Sequence, residues 1–366
     1  MELVEAAVTL ATLAPDELRR CHNSLVTIPH RTDPAFAAPA AATPPPGHGA
    51  RPTFSVIIAT YQAADVIAAA IRSALAQTEP PVEIIVADDG STDDLAGAVA
   101  DFGETVRLLR LLHQGAASAS NKAAALATGD FVVVLDADDT WDPHRLERLA
   151  DLASSRPDLD LLTTDAWFVV DGNRRGRFYD HNNFATSDQS TEILRRTFFF
   201  AHVAVRRTRW EMAGGFAPDL ARGYDWDLQL RLLLAGCTAG CVLEPLADYT
   251  IHPESLSANR YESLKARVEL LERARTTQTL SGDQDAVLLA ARENYRRRAL
   301  AARAEEALMS EAPGRRRAAL AELAARGIGP RRRAFLAAAL VSPRWAGVRL
   351  RRMAMEQGRA PSDRIV

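Results

Sequence analysis

Residues 131–143, FVVVLDADDTWDP, decide the fold. The five consecutive apolar residues from Phe131 to Leu135 suit a strand covered by helices on both faces of a parallel sheet. The run ends in three carboxylates within four residues, Asp136, Asp138 and Asp139. In an open α/β sheet, ligands bind in the crevice beyond the carboxyl ends of the strands. Hard divalent cations prefer oxygen ligands, and Mg2+ or Mn2+ usually takes one or two protein carboxylates together with phosphate oxygens. The stretch therefore predicts a strand that delivers a cation site for a phosphorylated ligand. Asp142, ahead of Pro143, reads instead as the N-cap of the next helix.

Upstream, short β-rich runs alternate with amphipathic segments: FSVIIA (54–59) and DVIAAAIRSALAQ (65–77), VEIIVA (82–87) and DDLAGAVADF (93–102), VRLLRL (106–111) and ASASNKAAALA (117–127). PHRLERLADLA (143–153) follows the 131–135 strand in the same rhythm. Strands alternating with helical segments of this length indicate βαβ units, a parallel sheet and a three-layer α/β domain. Downstream the pattern loosens: DLLTTDAWFVV (160–170) reads as a strand, HNNFATSDQ (181–189) as a polar loop and FFFAHVAVRR (198–207) as a strand. Residues 31–52 are Ala/Pro-rich, and beyond Glu262 the chain is rich in Ala, Leu and Arg at helical spacing. The organisation expected is an arm and linker over 1–51, an α/β domain over 52–258 and a helical, Arg-rich extension over 259–366.

Two further acidic clusters sit where strands or helices should begin or end. In ADDGSTDD, Asp88 and Asp89 fall at the crevice, whereas Asp93 and Asp94 read as helix cap and first-turn charge. In GYDWDLQLRL, a helix starting at the tyrosine turns Trp226, Leu230 and Leu233 toward the sheet. Asp225 then lies in the first turn, where the macrodipole favours its charged form. Asp227 reads as an i,i+4 partner of Arg231. His252, on a loop after LADYTI, is by itself more often structural than a ligand; His202 and Trp210 read as satisfied core residues or pocket walls. Gly214-Gly215 is either a helix stop or a point of close backbone approach.

The 366 residues are 47% apolar and 25% charged, the balance of a globular protein with a sizeable core. A formal net charge of −3 averages unlike halves. Residues 260–366 hold 23 Lys/Arg against 12 Asp/Glu, leaving 21 against 35 before them. Three cysteines, Cys21, Cys237 and Cys241, form neither a CxxC pair nor a zinc pattern, which fits a reducing cytosol. No signal-peptide pattern or membrane span is read from the sequence. The Arg triplets of 315–317 and 331–333 predict either a basic membrane-surface segment at the inner face of the cytoplasmic membrane or a solvated helical hairpin. Without interleaved aromatics they do not point to nucleic acid.

Taken in order, SVIIATYQ (55–62), IIVADDGSTD (84–93), GDFVVVLDADD (129–139), GGF (214–216), YDWDLQLRL (224–232) and IHPESLS (251–257) resemble the family 2 glycosyltransferases of the GT-A fold. The resemblance implies a Rossmann-like domain with a mixed, mostly parallel sheet and an inverting transfer from a UDP-, GDP- or dTDP-sugar. The acceptor would be a saccharide, a lipid-linked molecule or a small molecule. It implies nucleotide-sugar contacts from Thr60, Tyr61, Asp88, Asp89, Asn121, Lys122, Asp136 and Asp138, with Asp138, Asp139 and His252 holding Mg2+ or Mn2+. It also implies Asp225 as the general base that takes the acceptor proton. Ala59 and Gln62 stand where the family has Pro and Asn, predicting a less rigid first loop; Ser120 replaces a common Arg, so that a nucleotide or phosphate contact is either missing or supplied by Lys122. The other readings are a nucleotide-sugar-binding protein without turnover and a receiver-like phosphoacceptor domain. A dinucleotide dehydrogenase is disfavoured, because no GxGxxG follows the first strand, and a nucleotidyltransferase because that loop lacks glycine.

Overall fold

A computed structural model of the chain describes residues 51–180, 182–252 and 259–309. The expected amino-terminal arm before Arg51 and the Arg-triplet segments beyond residue 309 lie outside the described residues, and with them the membrane-surface expectation.

Side-chain alternation in the first strand, β1 (Phe54–Thr60), sets the layering. Phe54, Val56 and Ile58 enter one apolar cluster and Ile57 enters another on the opposite face. Strands β2 (Glu83–Asp88), β3 (Val106–Arg110) and β4 (Phe131–Val134) run parallel to β1 in the order β3-β2-β1-β4. Helices α1 (Ile67–Leu75), α2 (Leu95–Ala100) and α4 (Arg145–Ser155) cover the first face, and α3 (Ala116–Ala124) the second. Asp94, the α2 N-cap, accepts from Gly97 N at 3.1 Å, while Asp93 accepts from Ala64 N at 2.9 Å. Asp142 is not the cap of α4, because the N-cap position falls two residues later, at His144. Its Oδ1 accepts from His144 N at 3.0 Å, closing the turn that precedes the helix.

Past β4 the sheet becomes mixed. The three-residue β8 (Ala204–Arg206) is antiparallel to both β4 and β6 (Leu161–Val170). β9 (Ala239–Thr250) runs parallel to β6, the two-residue β5 (Thr140–Trp141) is antiparallel to β9, and β7 (Asn173–Arg177) forms a hairpin with β6. The expected strand over 198–207 is therefore confined to its end. Successive strand residues point to opposite faces, whereas Phe198 and Phe199 are buried in one cluster and Phe200 in the other, with the first two rings 4.6 Å apart. An extended ladder strand could not seat Phe198 and Phe199 on one side.

The other face is completed by α5 (Gln189–Arg195), α6 (Arg207–Ala213), α7 (Tyr224–Leu234), α8 (Arg260–Thr277) and α9 (Gly282–Met309). Leu264, Leu270, Leu271 and Ala274 of α8 and Leu288 and Tyr295 of α9 belong to the same apolar cluster as Trp226, Leu230 and Leu233 of α7. Trp226 is fixed by its indole N–H to Ile193 O at 2.9 Å and by an edge contact with Tyr295. The described part of the expected extension is thus a layer of the α/β domain, and all described residues lie in one compact unit. Leu271 is fully buried in this layer. Leu271→Ala is expected to cost about 2–5 kcal/mol from lost burial and the cavity left behind. Denaturant unfolding checks this; a loss below about 1 kcal/mol would mean that the helical layer is only loosely attached.

Candidate active site

The crevice is lined where β1, β2 and β4 end. Thr60 closes β1; its carbonyl accepts from Asp89 N at 2.9 Å, and its hydroxyl is buried without a hydrogen-bond partner among the described residues. Such an orphan costs about 1–3 kcal/mol unless something pairs with it. Tyr61 is half-exposed, its ring centroid 4.3 Å from that of His113. Gln62 takes a left-handed φ of 55°, and its amide receives Thr92 N and Asp93 N and donates to Thr92 Oγ1, while its own N–H reaches Ser91 Oγ. The looser first loop expected from Gln62 is not what forms, because the longer side chain pins β1 to the turn after β2.

Asp88 and Asp89 are 1% and 2% exposed. Asp88 accepts from Ser91 N at 2.8 Å and lies 3.6 Å from Arg110 Nε. Asp89 accepts from Gln114 N and Gly115 N, both at 2.8 Å, with His113 Nδ1 2.9 Å away. Both acids brace loops of the crevice. Lys122 donates to Gln114 Oε1 at 2.7 Å. Asn121 is a clamp, its amide exchanging two 2.8 Å hydrogen bonds with the backbone of Phe216. Gly215 has a φ of 70°, and a Cβ there would collide with Asn121 Oδ1, so glycine is required for close approach to that clamp as well as for the turn.

The DADD segment leaves β4 and turns back toward the end of β9. Asp136 is half-exposed. Asp138 Oδ2 lies 2.8 Å from His252 Nε2, across 114 positions of sequence. Asp139 is buried, accepting Thr250 N at 2.7 Å on one oxygen and facing His202 Nε2 at 3.0 Å with the other. The ring of His202 is 1% exposed and accepts the Trp141 indole N–H at Nδ1, 3.0 Å. An indole nitrogen only donates, so the neutral ring carries its hydrogen on Nε2. Three polar atoms stand around it, Asp139 Oδ2 at 3.0 Å, Asp136 N at 3.4 Å and Asp136 Oδ2 at 3.8 Å; only the carboxylates can accept, and the nearer, Asp139 Oδ2, has no other hydrogen-bond partner among the described residues. Burial opposes charge on His202 while Asp136 and Asp139 draw its pKa up on balance, yet a second ring hydrogen would point at the Trp141 N–H. Asp136, Asp139 and His202 hold ligand-type atoms within 4.8 Å of one another. A cation bound at Nε2 would have to displace the ring hydrogen, whereas Asp139 Oδ2 is buried and forms no well-directed hydrogen bond among the described residues, so the trio can serve as a brace or as ligands.

Asp225 lies in the first turn of α7, partly exposed. Its pKa is raised, chiefly by burial and also by the charge of Asp136, against the helix-end amide of Trp226 and the charge of Arg267. The macrodipole does not keep Asp225 in the ordinary carboxylate range as the sequence suggested, because desolvation outweighs it. Asp227 is committed elsewhere: it pairs with Arg231 at 2.8 Å, as the i,i+4 spacing predicted, and lies 3.6 Å from Arg273. Arg231 also donates to the carbonyls of Ala213 and Gly215, at 2.6 and 2.7 Å, tying the glycine loop to α7. Sequence reasoning missed Arg145, Trp141 and Thr250. Arg145 occupies a position that reads as an exposed helix start, and Thr250 acts through its backbone, so neither carried a signal.

The Glycosyl transferase family 2 model matches residues 55–211. The chain is 30% identical over 219 residues to a protein of Bacillus subtilis (strain 168) named as teichuronic acid biosynthesis glycosyltransferase TuaG, which covers 59% of this chain and 85% of that one. Two other relatives are matched over 38% and 65% of their own length. Among solved structures, S. aureus TarS 1-349 in complex with UDP superposes with a TM-score of 0.53 at 18% identity, covering 84% of this chain and 92% of that one. Mannosyltransferase PcManGT from Pyrobaculum calidifontis, in complex with GDP-Man and Mn2+, gives a TM-score of 0.54 at 21% identity, with 89% of each chain covered. The α/β sandwich with its acid-lined crevice defines a nucleotide-sugar transferase fold, and the chain belongs to glycosyl transferase family 2.

Proposed function

We propose that this glycosyltransferase moves a sugar from a nucleotide-sugar donor to an acceptor hydroxyl with inversion, assisted by a divalent cation and with Asp225 as the base. The observation that carries the reading is the 2.8 Å meeting of Asp138 and His252 beside Asp136, whose charge reaches Asp225. A carboxylate oxygen and an imidazole nitrogen this close can serve one cation as adjacent ligands, so the residues present fit a metal. The nitrogen donor suits Mn2+ better than Mg2+. Asp138 and His252 would hold it, and Asp139, expected as a third ligand, would brace the pair from behind through Thr250. When bound, the cation supplies Lewis acidity toward the departing diphosphate.

The remaining chemistry belongs to the chain. Thr60 offers its unpartnered hydroxyl, and Tyr61, backed by His113, offers an aromatic face for the base. Asp88 and Asp89 hold the loops around that base, Asp136 faces the ribose and phosphates, and Lys122 supplies positive charge near the α3 start. Asn121 keeps the 214–216 loop in position to shape the sugar pocket. Asp225, made more basic by its surroundings, takes the acceptor proton as the hydroxyl oxygen attacks from the face opposite the diphosphate. The relative named for teichuronic acid biosynthesis supports a cell-envelope polysaccharide acceptor, and the neighbours bound to UDP, or to GDP-Man with Mn2+, agree with a nucleotide donor. Among the described residues no helix is long and apolar enough to cross a membrane. The test is a thermal-shift screen of UDP-, GDP- and dTDP-sugars with Mn2+ or Mg2+. One donor and cation together should stabilise the protein more than either alone; no response to any pair would overturn the reading.

A further inference from the structure

Arg145 is the side chain that the proposed reaction leaves unexplained. It is fully buried, and among the described residues it has no carboxylate partner. Removing a lone charge from water costs several kcal/mol, and Arg145 opens α4, where the helix N-terminus disfavours a cation. Its guanidinium donates to the His202 carbonyl at 2.6 Å and to Thr164 Oγ1, and it lies against Trp141 and Phe200, 5.2 and 5.9 Å from the ring centroids. Trp141 in turn donates to the His202 ring, so His202 is gripped at both its backbone and its imidazole. Trp141 also sits in β5, whose two residues pair with Ala247 and Asp248 near the end of β9. The strand following the DADD segment is thereby stitched to the strand that leads to His252.

We propose that Arg145, Trp141 and His202 are positioning residues for the cation site, fixing Asp139 so that Thr250 is held and His252 meets Asp138. This rests on the reading of Asp138 and His252 given above. The continuity is physical: Arg145 donates to the His202 carbonyl, His202 Nε2 lies 3.0 Å from Asp139 Oδ2, Asp139 Oδ1 accepts from Thr250 N, and two residues on, His252 meets Asp138. Groups that orient metal ligands from behind typically contribute 10–100-fold to metal affinity. If His202 were itself a ligand, loss of the Trp141 N–H would instead free its ring.

The test measures Mn2+ binding to the donor-free full chain by electron paramagnetic resonance of free Mn2+, for wild type, Trp141→Phe, Arg145→Met, His202→Gln, His202→Ala and Asp138→Ala. Trp141→Phe removes the indole N–H together with part of a buried ring system, so its thermal unfolding is measured alongside. It is expected to weaken Mn2+ about tenfold or more and to raise the apparent KM for Mn2+, while kcat at saturating Mn2+ returns close to wild type. His202→Gln should retain more affinity than His202→Ala. Nitrogen NMR of labelled histidine should show His202 protonated at Nε2 and bare at Nδ1. Unchanged Mn2+ affinity in Trp141→Phe alongside its loss in Asp138→Ala would overturn the positioning role and leave the cation site standing. A His202 protonated at Nδ1 would overturn it as well. Full Mn2+ affinity in Asp138→Ala would remove the cation site, and the positioning role with it.

Discussion

Asp225→Asn is expected to lower the rate of sugar transfer by about 10²–10⁴-fold, the usual contribution of a positioned proton acceptor, while Kd for the donor changes little. An amide keeps the size of the side chain but cannot take the acceptor proton. Calorimetric titration of the donor beside a transfer assay separates the two effects; a variant that transfers at the wild-type rate would exclude Asp225 as the base. The pH profile follows from the raised pKa. Asp225 must be ionised to act, so kcat/KM should fall on the acid side through a pKa above the ordinary aspartate value of about 3.9, and Asp225→Asn should lose that limb. The stability effect has the opposite sign. A carboxyl whose folded pKa lies above its unfolded one contributes stability below the unfolded pKa and loses it as pH rises through the folded one. Near neutral pH the asparagine variant should therefore be at least as stable as wild type, so that loss of transfer cannot be attributed to unfolding.

Asp138→Ala is expected to reduce cation-dependent transfer by at least about 100-fold, since loss of a direct ligand should cost no less than the 10–100-fold typical of groups behind one. The two substitutions differ in what else they change. Asp138→Ala should abolish the response of donor binding to Mn2+, whereas Asp225→Asn should preserve it. His252→Ala should follow Asp138→Ala more weakly, because one ligand remains. Transfer by Asp138→Ala that is as fast as wild type and unaffected by a chelator would refute the cation site. Inversion has its own check, the anomeric configuration of the first product by NMR.

The parallel half of the sheet was readable because three of its four strands are short apolar runs, the fourth, β3, carries Arg107 and Arg110 only as a partly exposed strand, and each intervening helix keeps its spacing. The mixed half was not. The amino-terminal part of β9, AGCVLEP, contains Gly240 and Pro245 and lacks alternation, yet it forms because β6 is there to pair with it. Of the site, the carboxylates of DADD and YDWD could be found because three acids against the end of one buried strand, and two in the first turn of one helix, exceed what capping needs. Their division of labour was legible in part: the i,i+4 spacing already gave Asp227 to Arg231, and the structure adds the approach of Arg273 from a distant helix. Asp88, Asp89 and Asn121 look like ligand contacts, but much of their hydrogen-bonding capacity goes to the backbones of other loops. Arg145 and His202 were opaque for a related reason: nothing local says that a guanidinium will be sealed under a tryptophan or that an imidazole will serve a carboxylate.

The family match ends at residue 211, ahead of both Asp225 and His252. The helix that carries Asp225 rests on α8 and α9, which lie between residues 260 and 309. A fragment trimmed to the matched boundary would keep the ends of β1, β2 and β4 and discard Asp225, the proposed base, and His252. One cut at residue 258 would keep every proposed ligand and leave the outer side of α7 wet, an invitation to aggregate. Expression work on this enzyme should therefore retain the chain through at least residue 309.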